Sequence, residues 1–403
     1  MRQDDSPQPV VAHIATVPMS LQYLLFNQLK AIAADGYRVV AVSSPGPEAA
    51  ALADLGIPHV AIPVSRKITP FQDLLSLWQL YRFMRRHRLH IVHTHNPKPG
   101  LLGQLAARLA GVPIVINTIH GFYFTNHTHP LWRKLFIVVE KVAASCSDLI
   151  WSQNMEDINT AVQERICPAE KIRYLGNGID LNRFDRTRIS SEMIQEKRAE
   201  LQLPVSAPVV GFVGRLVTEK GVHELLRAAL VVRERFPDVR FLIVGSTDSD
   251  KRDAITSQVV HDYRLEANCL FTGQRNDTPE LFALMDVFVL PSHREGLPRA
   301  PMEASAMGVP CVVTDVRGCR EVVAHEQNGL IVPLQDVIAL AQAITRLLED
   351  KPLAQRLGET GRRMAAERFD ERLVFAKVKA EYARLLQEKG LPVPQPAPVG
   401  SVT

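Results

Sequence analysis

Apolar residues in this chain fall in short runs of four to six, spaced by longer segments in which they recur every three or four positions. The first pattern marks strands buried on both faces and the second marks amphipathic helices. The runs predict strands at 10–15, 38–42, 91–94, 114–119, 149–152 and 172–174. A second set follows at 209–213, 240–244, 269–272, 287–290, 311–314 and 330–332. Helical periodicity is clearest at 71–90, 222–236, 335–349, 352–368 and 371–389. Strands alternating with helices form parallel sheets, and two successive sets imply an α/β fold of two doubly wound domains. A polar stretch with Pro204 and Pro208 separates the sets, giving expected domains at 1–180 and 181–370. A further helix at 371–390 and a proline-rich tail at 391–403, expected to be disordered, complete the chain.

The densest candidate chemistry follows the strand at 287–290. Pro291 and Ser292 lead into a loop with Glu295, Gly296, Leu297 and Pro298, then a helical stretch with Glu303 that ends near Gly308. A strand, a turn with glycine and a helix leave backbone N–H groups at the sheet end, where an anion can bind. Glu303 is expected about two helical turns in, reaching back toward the same ligand as Glu295. A solvated loop acid and a helix-face acid would have the same spacing; the small residues Ala304, Ser305 and Ala306 favour close approach of a ligand. A second such junction joins the strand at 209–213 through Gly214, Arg215, Lys220 and Gly221 to a helix. Two cations at a helix N-terminus are unfavourable unless something anionic offsets them.

With these segments, Gly211-Phe-Val-Gly-Arg-Leu216, Asn177-Gly-Ile-Asp180 and Asn328-Gly-Leu-Ile-Val-Pro333, the chain resembles the retaining nucleotide-sugar glycosyltransferases of family 4. The resemblance covers roughly residues 10 to 385. It implies the GT-B fold: two Rossmann-like domains facing a cleft, acceptor-binding first and donor-binding second, with the last helix crossing back to the first. Arg215 and Lys220 would hold the donor diphosphate in place of a metal ion, Glu303 the ribose and Glu295 the donor sugar. Gly214, Gly296, Leu297, Pro298 and Asn177 would border the donor, and loops at Gly245 and at Gly273 to Arg275 the nucleobase. His93-Thr-His-Asn-Pro-Lys-Pro-Gly-Leu101 and Thr118-Ile-His-Gly-Phe-Tyr123 resemble the branch that builds bacterial capsules, exopolysaccharides and O-antigens. That branch implies a UDP-sugar donor, an N-acetylhexosamine or related hexose, and a polyprenyl-diphosphate-linked saccharide acceptor. No pair of carboxylates has an assured nucleophile role, which fits the front-face displacement proposed for the family, in which the departing phosphate helps take the acceptor proton.

In the first half His120 ends a strand before Gly121. It can donate to a sugar hydroxyl, a role the resemblance also implies, or serve as a structural histidine. The first loop departs from the family pattern: Thr16-Val-Pro-Met-Ser20 has no glycine, and Ser20 is its candidate hydrogen-bond donor. Lys98 is a candidate for acceptor phosphate. His93 and His95 share a strand face, and His127 and His129 are similarly spaced. With no nearby Cys or Asp to complete a metal site, the expectation is cleft-lining or acceptor-contacting histidines and no metal. Asp248-Ser-Asp250 has the spacing of a metal motif but reads as a polar turn.

Charge refines the picture. From Arg66 to Lys134 ten Lys or Arg face one acid, Asp73; that segment is +9 within a chain of net +4. Phe71, Leu74, Leu75, Trp78 and Tyr81 line one face of the helix at 71–90, and Arg82, Arg85, Arg86 and Arg88 crowd its end. This is either a core-packed helix with cations at its C-terminal dipole or a contact for an anionic membrane surface. No apolar run reaches the ~18–20 residues of a membrane span. The five cysteines lack paired metal spacing and read as reduced thiols. The expected location is therefore cytoplasmic, with peripheral contact at the inner face of the membrane. Two other functions fit less of the chain. A nucleotide-sugar epimerase shares the architecture but changes the sugar without an acceptor. A nucleic-acid-binding protein would use the basic face, yet no aromatic-basic motif accompanies it.

Overall fold

The structure, a computed structural model, describes residues 8–65, 69–95, 97–124, 128–246, 255 and 258–394. Arg66, Lys67, His127, the segment Asp248 to Asp250 and the end of the tail lie outside the described residues. The chain forms two compact units. One comprises residues 1–176 with 372–403, the other residues 177–371.

Among the described residues the first unit is built on seven parallel strands. They are β1 (Val10–Ile14), β2 (Arg38–Ser43), β3 (His59–Ala61), β4 (Ile91–His95), β5 (Ile114–Ile119), β6 (Leu149–Ser152) and β7 (Ile172–Tyr174), in the order β3-β2-β1-β4-β5-β6-β7. The second carries six: β8 (Val209–Val213), β9 (Arg240–Val244), β10 (Cys269–Gly273), β11 (Val287–Leu290), β12 (Cys311–Thr314) and β13 (Gly329–Val332), ordered β10-β9-β8-β11-β12-β13. Each sheet is doubly wound. Strand order reverses between β1 and β4 in the first and between β8 and β11 in the second, where such sheets open a crevice at their carboxyl ends.

Hydrophobic runs decide these strands: Val287–Leu290 and Cys311–Thr314 are buried at every position, as parallel strands covered on both faces must be. The edge strand His59–Ala61 was not expected; three half-exposed or exposed residues carry too little hydrophobic signal. The last helix, Glu371–Glu388, buries Val374, Val378, Tyr382, Leu385 and Leu386 in the core of the first unit. Helix Pro70–His87 overturns the core-packed expectation for its predicted face. Ser76, Leu80, Phe83 and Met84 are buried instead, while Phe71, Leu74, Leu75 and Trp78 stand in solvent.

Candidate active site

In the second unit two strand–loop–helix junctions meet at the reversal between β8 and β11. After β8, Gly214 and Arg215 lead to the single turn Thr218–Lys220 and then helix Val222–Arg235. Gly221 makes that passage possible: its φ is +72°, and a Cβ there would lie 2.0 Å from the Pro291 carbonyl oxygen. This close approach brings the loop after β11 against the helix start. Gly245 is pressed against Gly214 in the same way, a Cβ falling 1.8 Å from the Gly214 oxygen.

Across that contact the Lys220 ammonium donates to Glu295 Oε1 at 2.5 Å, and Ser292 Oγ donates to the same oxygen at 2.7 Å. The pair is mostly shielded, with side chains 18% and 8% exposed. Neighbouring bonds brace both loops: His293 N donates to the Glu219 carbonyl, Arg294 pairs with the Glu219 carboxylate and His293 Nε2 lies 2.9 Å from Glu224. Thr314 Oγ1 holds the Ser292 carbonyl from β12. Asn177 Nδ2 donates to the Leu297 carbonyl at 3.0 Å, fixing the turn of Gly296, Leu297 and buried Pro298.

Helix Arg299–Ala306 follows, placing Glu303 just over one turn in rather than two. Burial pushes the Glu303 carboxyl pKa up, and the nearby Arg299 and Arg183 guanidiniums oppose the shift. Arg275 is placed differently. Its guanidinium is held by Asp277 and Glu200, in a network that Lys197 extends.

In the first unit His120 follows β5 and lies 3.2 Å, Nε2 to Nδ1, from His95 at the end of β4. Burial lowers its pKa to about 4, against a small opposing effect of a hydrogen bond with Gln153, so it is neutral at physiological pH. His93 and His95, expected to meet the acceptor, are instead fully buried, bonded to Tyr382, Thr118, His13 and His120. His129 is exposed, ahead of helix Pro130–Cys146. Lys98 pairs with Asp73 at 2.5 Å, and Ser20 is half-buried at the end of the turn Pro18–Ser20. Reasoning from sequence missed His13 and Tyr382, which share the interior with these histidines. His13 lay inside an apolar strand run, a signal that could have raised it; Tyr382 had none.

Two doubly wound sheets, with a cation–carboxylate pair at the strand-order reversal of the second, define a class: α/β proteins whose crevice lies at the carboxyl ends of the strands. Comparison with known proteins narrows it. Residues 193–364 match the family described as glycosyl transferases group 1, and residues 25–178 a glycosyl transferase 4-like domain. An Escherichia coli UDP-Gal:alpha-D-GlcNAc-diphosphoundecaprenol alpha-1,3-galactosyltransferase is 35% identical over 290 residues, spanning 72% of this chain and 74% of that one. The Staphylococcus aureus capsular polysaccharide biosynthesis glycosyltransferase CapM is 28% identical over 94% of this chain and 98% of its own. Among solved structures, Anabaena Alr3699/HepE in complex with UDP-glucose superposes with a TM-score of 0.79 at 20% identity. The match covers 93% of this chain and 99% of that one. The chain belongs to the group 1 glycosyltransferases, with the GT-B fold of two Rossmann-like domains.

Proposed function

We propose that the protein moves a sugar, an N-acetylhexosamine or related hexose, from a UDP-sugar to a polyprenyl-diphosphate-linked saccharide, with retention at the anomeric carbon, during capsule, exopolysaccharide or O-antigen synthesis. The observation that carries this is the Lys220–Glu295 pair where β8 and β11 diverge. A diphosphate gains negative charge as the glycosidic bond breaks, and fixed cations at that point lower the barrier. Lys220, with Arg215 on the same connection, supplies that charge and replaces a divalent ion. When Lys220 turns to phosphate, the Glu295 carboxylate is released to accept hydrogen bonds from the donor sugar. Glu303 takes the ribose hydroxyls. Gly214, Gly245, Gly296, Leu297 and Pro298 let backbone approach the ligand, and Asn177 holds that turn. Arg275, through its ion pairs, supports the nucleobase loop rather than touching the base. The first unit contributes neutral His120 as a hydrogen-bonding group for sugar hydroxyls, with Lys98 and Ser20 on the acceptor side.

The relatives' names support the donor and acceptor: one transfers galactose from UDP-Gal to a diphosphoundecaprenol-linked sugar, and a Campylobacter jejuni relative is an N-acetylgalactosaminyltransferase named for a similar lipid-linked acceptor. Such an acceptor lies in a membrane, and among the described residues no helix is long and apolar enough to cross one. A peripheral docking face is available in the first unit. Helices Pro70–His87, Pro97–Ala110 and Pro130–Cys146 lie side by side, exposing Phe71 and Trp78 on the first and Leu131 and Trp132 on the last. The Arg82 guanidinium sits 4.7 Å over the Trp78 ring, with Arg85 and Arg86 in the final turn. Apolar side chains rimmed by cations suit the inner face of an anionic bilayer.

The test is incubation with a panel of UDP- and GDP-sugars and polyprenyl-diphosphate saccharides, with products identified by mass. Acceptor lengthened by one sugar, from a UDP-sugar and in the presence of chelator, is expected. Conversion of the sugar without acceptor would show an epimerase and sink the proposal.

A further inference from the structure

Four histidines and a tyrosine of the first unit form one unbroken hydrogen-bonded line. Thr118 Oγ1 lies 2.7 Å from His93 Nε2, and His93 Nδ1 lies 2.6 Å from the Tyr382 hydroxyl. That hydroxyl is 3.2 Å from His13 Nε2, and His13 Nδ1 is 3.0 Å from His95 Nε2. His95 Nδ1 then meets His120 Nε2 at 3.2 Å. The strands explain the convergence. His13 and His93 are register partners on β1 and β4, and His93 and His95 face one side of β4 two residues apart. Tyr382 enters from the last helix, 289 positions along the chain from His93.

Burial lowers the pKa of His13 to about 3 and those of His93 and His95 well below the usual value, so all four imidazoles are neutral. A neutral imidazole has one donor nitrogen and one acceptor nitrogen. Every link between rings joins an Nδ1 to an Nε2 or passes through the Tyr382 hydroxyl. With that hydroxyl donating to one neighbour and accepting from the other, the line runs in only two ways: all four rings protonated at Nδ1, or all four at Nε2.

We propose that His13, His93, His95 and Tyr382 are positioning residues that hold the ring of His120 and tie its neutral tautomer to the one shared by the whole line. The line makes the last helix part of the catalytic machinery as well as of the core. A histidine that must meet a sugar hydroxyl in one geometry gains from this, because a misplaced or wrong-tautomer ring donates where it should accept. The proposal rests on the reading of His120 as a group that contacts sugar substrates. The nitrogens of His13, His93 and His95 also lie within 4.8 Å of one another, the spacing of a metal centre. The hydrogen bonds already engage both nitrogens of each ring, which favours the relay.

The experiment uses the full chain. Long-range 15N–1H correlation spectra of 15N-histidine-labelled protein without substrate report the tautomer of each ring, assigned by single His→Gln variants. One shared tautomer for His13, His93, His95 and His120 is expected; mixed tautomers among the four would overturn the relay. A stoichiometric metal ion in the purified protein, lost in His13→Gln, would overturn it too. Tyr382→Phe should scatter the His120 tautomer and lower kcat about tenfold with the donor KM within about twofold. Tyr37→Phe, whose ring packs edge-on against Tyr382 at 5.8 Å, should change neither and controls for repacking. Unchanged kcat and spectrum in Tyr382→Phe would sink the proposal. Full turnover in His120→Ala with tautomers still shared would instead overturn the catalytic reading of His120 and leave the relay standing.

Discussion

The Lys220–Glu295 pair allows the donor site to be separated from a structural ion pair. The ammonium and carboxylate are 2.5 Å apart and largely shielded. At an effective dielectric near 20, unit charges about 4 Å apart interact by about 4 kcal/mol, so one lysine on a diphosphate is worth several kcal/mol as charge develops. Lys220→Ala should therefore lower kcat/KM by about 10²–10³, the range for removing one fixed transition-state donor. It should also lower stability by about 1–3 kcal/mol, because Glu295 is left shielded without its cation. Removing both partners discriminates between the roles. Lys220→Ala with Glu295→Ala should recover most of the lost stability, read by denaturant melts, since no unpaired charge remains. Activity, followed as UDP release with a lipid-linked acceptor, should stay at or below that of the single variant. If the double variant regained activity together with stability, to within about threefold of the parent, the pair would be structural and the donor assignment wrong.

Three further outcomes follow from particular contacts. Gly221→Ala forces a Cβ into the left-handed region 2.0 Å from the Pro291 oxygen; a loss of about 2–4 kcal/mol in equilibrium unfolding is expected, and a loss below about 1 kcal/mol would refute the tight junction. Burial, with a smaller effect from the Asp157 carboxylate, raises the pKa of Glu140 from 4.5 to about 7. The folded chain then keeps a proton that the unfolded chain releases, so this group's stability contribution is full below pH 4.5 and falls as pH rises to about 7. Glu140→Gln should thus stabilise by about 1–3 kcal/mol at pH 8 and by little near pH 4.5; equal melting shifts at both would contradict the sign. Phe71→Ser with Trp78→Ser should cut sedimentation with phosphatidylglycerol vesicles at least fivefold while leaving turnover of a short-chain soluble acceptor unchanged; undiminished vesicle binding would remove that face from membrane contact.

Much of the architecture was legible from chain pattern. Strands predicted at 114–119, 149–152, 209–213, 240–244 and 311–314 match the observed ones residue for residue, because strands buried on both faces favour near-continuous apolar runs. The edge strand His59–Ala61 escaped because an edge needs no such run. Arg275 looked available beside a glycine turn, but its guanidinium is held by Glu200, 75 positions earlier in the chain. Helix Pro70–His87 was read with Phe71, Leu74, Leu75, Trp78 and Tyr81 as its apolar face; Leu80, Phe83 and Met84 pack inward instead because of where the sheet lies.

The amino-acid order by itself determined two sets of buried parallel strands, the glycine turns after β8 and β11, and the acids and cations those turns carry. These are short-range consequences of periodicity, backbone freedom and helix-end electrostatics. Tertiary structure alone decided that Lys220 meets Glu295, that Tyr382 reaches His13 and His93, and that Phe71 and Trp78 remain in water. The reason is physical: such contacts join residues tens to hundreds of positions apart. Their geometry is set by strand order and by which helix face the sheet buries, quantities that no local pattern encodes.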